Sequence, residues 1–230
     1  MGRDPECTQL KIFALSSTVE FILYTYTMPT CQRINLPDIP NNIKEYLVQL
    51  AESIVVSEEK RQWVQRFQGN LYTVAFQEYG TENTQIDSTV KEQLDQIFCR
   101  FFPDENIWYT LGKIQGLPDQ VSLIPPHCDR GRHTACNYLL STGGEHVRTV
   151  FYNRIRDKEN LDSAVNILKS QVVEESSIVM DLNQWYIFNA QQAHGVENLT
   201  GTRLIFSIVF PNNLTFSEFV QKYQHMVAVA

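Results

Sequence analysis

From about residue 107 onward the chain breaks into short β-rich runs, each closed by a cluster of Gly, Pro, Asn or Asp. Runs at 107–114, 121–124, 134–140, 148–152, 177–180, 185–188 and 203–210 are too short and too evenly punctuated for helices, and their repetition is the signature of a β-sandwich or barrel. One segment breaks the rhythm. Residues 153–171 are charged, carry a possible helix at 162–169, and are long for a strand connection. They read either as a lid over an active site or as a surface excursion.

Before residue 107 the periodicity is helical. Asn42 with Glu45 three residues on forms a capping pair, and Ile43, Tyr46, Leu47, Leu50 and Ala51 make one apolar face. A second helix is expected from Ser57, burying Trp63, Val64 and Phe67, and a strand at 71–76. Asp87 opens a third helix whose Val90, Leu94, Ile97, Phe98 and Phe101 share a face up to Pro103. At the other end, Thr215 with Glu218 caps a helix that presents Phe216, Phe219, Val220, Tyr223 and Val227. Such stripes are packing surfaces rather than cofactor sites. With 230 residues the chain suits one domain: a mixed helical support at 1–106, a β core at 107–212 and a C-terminal helix at 213–230.

Composition narrows the function. No apolar run approaches the length of a membrane span, and segment 10–15 lacks a signal-peptide core, which places the expected location in the cytoplasm. Five cysteines without CxxC spacing argue for free thiols rather than a disulfide framework or zinc ribbon. A formal charge of −7 with scattered Lys and Arg disfavours nucleic-acid binding.

Chemistry concentrates in two strings. His127-Cys128-Asp129 follows Pro125-Pro126; in extended geometry His127 and Asp129 share a face while Cys128 points away. The proline pair is expected to end regular strand pairing there. The second string, His194-Gly-Val-Glu-Asn-Leu-Thr-Gly-Thr-Arg203, reads as strand, hairpin turn, strand. Two imidazoles and a carboxylate are a ligand set for iron(II) that leaves positions open. Arg203, among apolar neighbours, needs an anion. Taken alone it suits an internal salt bridge; beside two histidines and Asp129 it suits a ligand carboxylate.

These strings, Ile124-Pro-Pro-His-Cys-Asp129 and His194 to Arg203, resemble those of the iron(II)- and 2-oxoglutarate-dependent oxygenases, over about residues 107–212. The resemblance implies an α+β, mainly β fold: a double-stranded β-helix, or jelly roll, flanked by N-terminal helices and a C-terminal helix. It implies an enzyme in which His127, Asp129 and His194 are catalytic and hold Fe(II), Arg203 binds the distal carboxylate of 2-oxoglutarate, and O2 is the oxidant. The expected reaction is hydroxylation of a C–H bond with release of succinate and CO2. Asp129 favours hydroxylation, because related halogenases carry a small residue at that position. Ser207, four residues after Arg203, departs from the R-x-S pattern of some subfamilies and leaves a serine contact to 2-oxoglutarate in doubt.

Other positions are less constrained. Asn137, a polar break in an apolar run, suits either a contact to 2-oxoglutarate or a structural hydrogen bond. Arg132 suits a substrate carboxylate or a solvated loop, and His146 and His225 read as surface residues. Prolyl- and amino-acid-hydroxylating branches look most similar, so the expected partner is a small molecule or peptide side chain, with oligomeric state open. The competing readings are a cupin-like metal-binding jelly roll without 2-oxoglutarate, and a non-catalytic binding protein on the same fold.

Overall fold

A computed structural model describes residues 30–55, 76–79, 86–116, 122–129, 132–154, 172–210 and 214–227. In chain order its elements are β1 (Cys31–Arg33), α1 (Asn41–Glu52), β2 (Phe76–Tyr79), α2 (Ser88–Phe98), β3 (Trp108–Gln115), β4 (Ser122–His127) and β5 (Thr134–Thr142). Then come β6 (Arg148–Arg154), β7 (Val172–Ile178), β8 (Trp185–Asn189), β9 (Ala193–Leu199), β10 (Thr202–Val209) and α3 (Phe216–Lys222). The helix expected from Ser57, most of the 71–76 strand and residues 155–171 lie outside the described residues.

The strands form two antiparallel sheets, one of six in the order β1-β8-β5-β10-β3-β2 and one of four in the order β4-β9-β6-β7. Between β3 and β10 the chain changes sheet at every connection except β6 to β7, which pair directly. That alternation is a jelly roll. It corrects the hairpin expected between His194 and Arg203: β9 and β10 lie in different sheets, and the turn between them is a crossover. A short polar turn encodes a reversal, but which sheet receives the next strand depends on distant packing.

Three layers result, because the larger sheet is covered on both faces. On its helix side Tyr138, Trp185 and Phe206 pack against Leu47 of α1, Leu94 and Phe98 of α2, and Phe219 of α3. On its inner side Leu139, Phe188 and Ile205 meet Phe151 and Val196 of the smaller sheet. Alternation along β10 therefore sends Leu204, Phe206 and Ile208 to the helices, and Arg203, Ile205 and Ser207 to the inter-sheet space. The C-terminal helix packs internally, with its expected capping box in place. Among the described residues no helix is long and apolar enough to cross a membrane.

Several local expectations are corrected. Helix α1 starts one residue before Asn42, with Pro40 at the cap position (φ −52°, ψ 141°) and no side-chain cap. Asp87 does cap α2, accepting from the Thr89 and Val90 amides, yet the helix ends at Phe98 rather than running to Pro103. The turns that follow let Phe102 bury itself edge-on to Phe210 and Tyr223, at ring separations of 5.0 and 5.1 Å. Strand β7 begins five residues earlier than the expected 177–180 run. It lies at the edge of the smaller sheet with Val173 to Ser177 exposed, so it lacks an apolar alternation to read.

Candidate metal centre and its cavity

Strand β4 runs through Pro125 and Pro126 instead of stopping at them. Its pairing with β9 is irregular between Ile124 and His127, where the prolines have no N–H to donate, and resumes with His127 directly opposite His194. Opposed residues of an antiparallel pair project side by side, and the two imidazole centroids lie 4.5 Å apart. The approach of the two strands depends on Gly195: a Cβ there would sit 2.6 Å from the Ile124 carbonyl oxygen.

Asp129 lies just past the end of β4, its amide donating to the Ala190 carbonyl at 2.9 Å. Its Oδ1 is 3.7 Å from His127 Nε2 and 3.6 Å from His194 Nε2. One ligand atom from each of the three residues falls within 4.8 Å of the others, and among the described residues they are the one such group of three. The opposite ring nitrogens settle the tautomers. His127 Nδ1 is 2.8 Å from the Pro125 carbonyl oxygen and His194 Nδ1 is 2.9 Å from that of Gln192. A carbonyl only accepts, so each Nδ1 carries a proton and each Nε2 is the nitrogen turned toward the shared space.

Electrostatics prepare the same state. Burial pulls the His194 pKa down to about 4, helped by His127 and opposed by Asp129, so the ring is neutral at pH 7. For Asp129, burial alone would raise the pKa; Arg132, His194 and His127 together outweigh it and hold the carboxyl below its usual value. A neutral His194 nitrogen and an ionised Asp129 carboxylate thus face the space that His127 Nε2 also borders.

The triad opens onto a cavity of about 410 Å³, mouth included, between the two sheets. Ile114, Ile124, Phe188, Val196 and Ile205 form its apolar wall, and Arg132, Asn137, Thr149, Met180 and Arg203 line it alongside the histidines. Arg203 is 3% exposed. Its Nη2 donates to Thr149 Oγ1 at 3.1 Å and reaches Met180 Sδ at 3.3 Å, while Nε has no partner. Among the described residues no carboxylate pairs with it. Burial brings its pKa down to about 10, with the nearby Cys31 thiol pulling the other way. A buried guanidinium short of an anion, in a cavity shared with the triad, fits a ligand carboxylate.

Asn137 does face the cavity, and its Oδ1 accepts from Ser207 Oγ at 2.8 Å. With that oxygen engaged, the amide NH2 is what Asn137 can offer a ligand. Ser207 thus orients Asn137. Arg132 lines the cavity too, but its Nε donates to Asp129 Oδ2 at 2.6 Å. Cys128 points away from the triad, its sulfur 3.2 Å from Arg154 Nη2. His146 and His225 are exposed. Thr149, Met180, Gln191 and Gly195 were not anticipated; only Thr149 carried a signal, two residues from the inward Phe151 on an alternating strand.

No protein-family model and no curated protein sequence matches the chain. Among solved structures it is similar to the non-heme alpha-ketoglutarate-dependent carbocyclase SnoK from nogalamycin biosynthesis, with TM-score 0.49, 9% identity and 79% of each chain covered. It is also similar to the epimerase SnoN of the same biosynthesis, with TM-score 0.45, 12% identity, and 78% of this chain and 76% of that chain covered. A third is a prolyl hydroxylase of Trichoplax adhaerens in complex with a hypoxia-inducible-factor peptide, with TM-score 0.42, 11% identity, and 79% and 83% covered.

Proposed function

We propose that the chain is an iron(II)- and 2-oxoglutarate-dependent dioxygenase that hydroxylates a C–H bond of a small molecule or a peptide side chain. The observation that carries this reading is Arg203: a buried guanidinium with an unpartnered Nε, lining the same cavity as His127 and His194, which are grouped with Asp129. A cupin-like site without 2-oxoglutarate would have no use for that charge.

His127, Asp129 and His194 would hold the iron, and Arg203 the distal carboxylate of 2-oxoglutarate. Together, the bound metal and co-substrate supply an oxidant strong enough to take hydrogen from carbon, with O2 consumed and succinate and CO2 released. The chain's own contribution is positional. The Pro125 and Gln192 carbonyls hold each imidazole by Nδ1 and so turn each Nε2 toward the metal space. Ser207 turns the Asn137 amide toward the co-substrate space. The wall of Ile114, Ile124, Phe188, Val196 and Ile205 excludes bulk water and strengthens each charge contact inside.

Anaerobic titration with iron(II) and then 2-oxoglutarate tests the reading. A weak visible charge-transfer band on adding the second ligand is expected, and His127→Ala should abolish it. Iron binding without the band would leave a metal-binding jelly roll that does not use 2-oxoglutarate, and no iron binding would leave a recognition protein.

A further inference from the structure

The two oxygens of Asp129 are assigned to different tasks. Oδ1 faces the Nε2 atoms of His127 and His194 at 3.7 and 3.6 Å, whereas Oδ2 accepts a 2.6 Å hydrogen bond from Arg132 Nε. Both partners of this pair are nearly enclosed, with side chains 12% and 13% exposed, so the contact is not a solvent-screened surface ion pair. The backbone under it is tied down as well. Gln191 Nε2 donates to the Asp129 carbonyl at 2.9 Å and to the Arg132 carbonyl at 2.7 Å, and Ala190 accepts from the Asp129 amide and donates to the His133 carbonyl.

We infer that Arg132 is a positioning residue that restricts Asp129 to offering a metal one oxygen, with Gln191 holding the two residues in register. The inference rests on the function proposed above and deepens it. An iron held by one atom from each of the three residues would keep positions open for the co-substrate and O2. A carboxylate free to turn both oxygens inward would occupy one of those positions, so Arg132 would protect co-substrate binding by holding Oδ2 away.

The test is the anaerobic titration repeated on Arg132→Met, which keeps the length and packing of the side chain but cannot hydrogen-bond Oδ2. Iron(II) is supplied at saturation, so that only 2-oxoglutarate binding is read. The variant should melt as a folded protein and require roughly ten- to hundredfold more 2-oxoglutarate to develop the band, in line with the usual effect of losing a ligand's hydrogen-bond partner. Arg132→Lys, which restores a charged donor, should recover part of that loss; a residue needed only for folding would show no such split. Wild-type affinity for 2-oxoglutarate in Arg132→Met would overturn the positioning role and leave the functional reading standing. Absence of the band in the unmodified protein would overturn the functional reading itself.

Discussion

At the scale of single residues the site is assembled from groups that are costly where they stand. Arg203 is buried with one nitrogen unsatisfied, a condition that penalises the folded state until an anion arrives. Arg203→Met should therefore move two readouts in opposite directions. The melting temperature of the metal-free protein should rise, because an apolar side chain of similar length relieves the desolvation cost. The 2-oxoglutarate concentration needed for the charge-transfer band should increase about thirtyfold or more, matching a loss of about 2–5 kcal/mol for a truncated buried charge pair. A variant both less stable and unaltered in 2-oxoglutarate binding would take Arg203 out of the site. Gly195 makes a second case. Its absent Cβ lets β9 approach β4, so Gly195→Ala must push the strands apart at the point where His127 and His194 face each other. Iron(II) affinity should fall although no ligand has changed, with a stability loss of about 1–3 kcal/mol typical of overpacking; isothermal titration under nitrogen and thermal melting would measure the two effects.

At the scale of elements, the sequence shows the central strands of the larger sheet better than the exposed edge strand of the smaller one. β5, β8 and β10 are buried on both faces and read as almost continuous apolar runs, which makes their polar members conspicuous. Asn137, Arg203 and Ser207 all sit at inward positions of those runs, and the first two were legible for that reason. β7 offered no such contrast, since an exposed edge strand has no core face to pattern. The sheet change after Leu199 was hidden for a different reason: the two residues between β9 and β10 specify a reversal and nothing about pairing. The Arg132–Asp129 bond was equally out of reach, because i, i+3 spacing by itself predicts no geometry. The helix layer should be energetically important yet separable from the site. Phe98 is fully buried, its ring edge-on to Trp185 at 5.1 Å, on the face of the sheet opposite the cavity. Phe98→Ala should cost roughly 3–5 kcal/mol, read by urea denaturation, while the iron(II) affinity of the folded fraction stays within experimental error. A matching loss of metal binding would show that the sheet transmits helix packing to the triad.

At the scale of the whole molecule, apolar clusters hold the layers together; His194 packs edge-on against Phe188 of one of them at 5.1 Å, so a metal would add to that packing rather than create it. The fold is thus expected to survive chelation, unlike small domains whose structure depends on a metal. Binding still stabilises by mass action, because only the folded chain brings the three ligand atoms within reach of one ion. At a free iron(II) concentration a hundred times the dissociation constant the gain is about 2.7 kcal/mol. For a chain of this size that corresponds to roughly 5–10 °C in melting temperature. Removing iron with a chelator under nitrogen should lower the melting temperature by about that interval and leave the far-ultraviolet circular dichroism spectrum unchanged at 20 °C. Adding 2-oxoglutarate to the iron-loaded protein should raise the melting temperature again, since it fills the cavity and satisfies Arg203 at once. In Arg203→Met that second rise should vanish while the first persists, which separates the metal's contribution from the carboxylate's. Collapse of the β signal on chelation would instead mean that the triad, and not the apolar cluster between the sheets, fastens the smaller sheet to the larger.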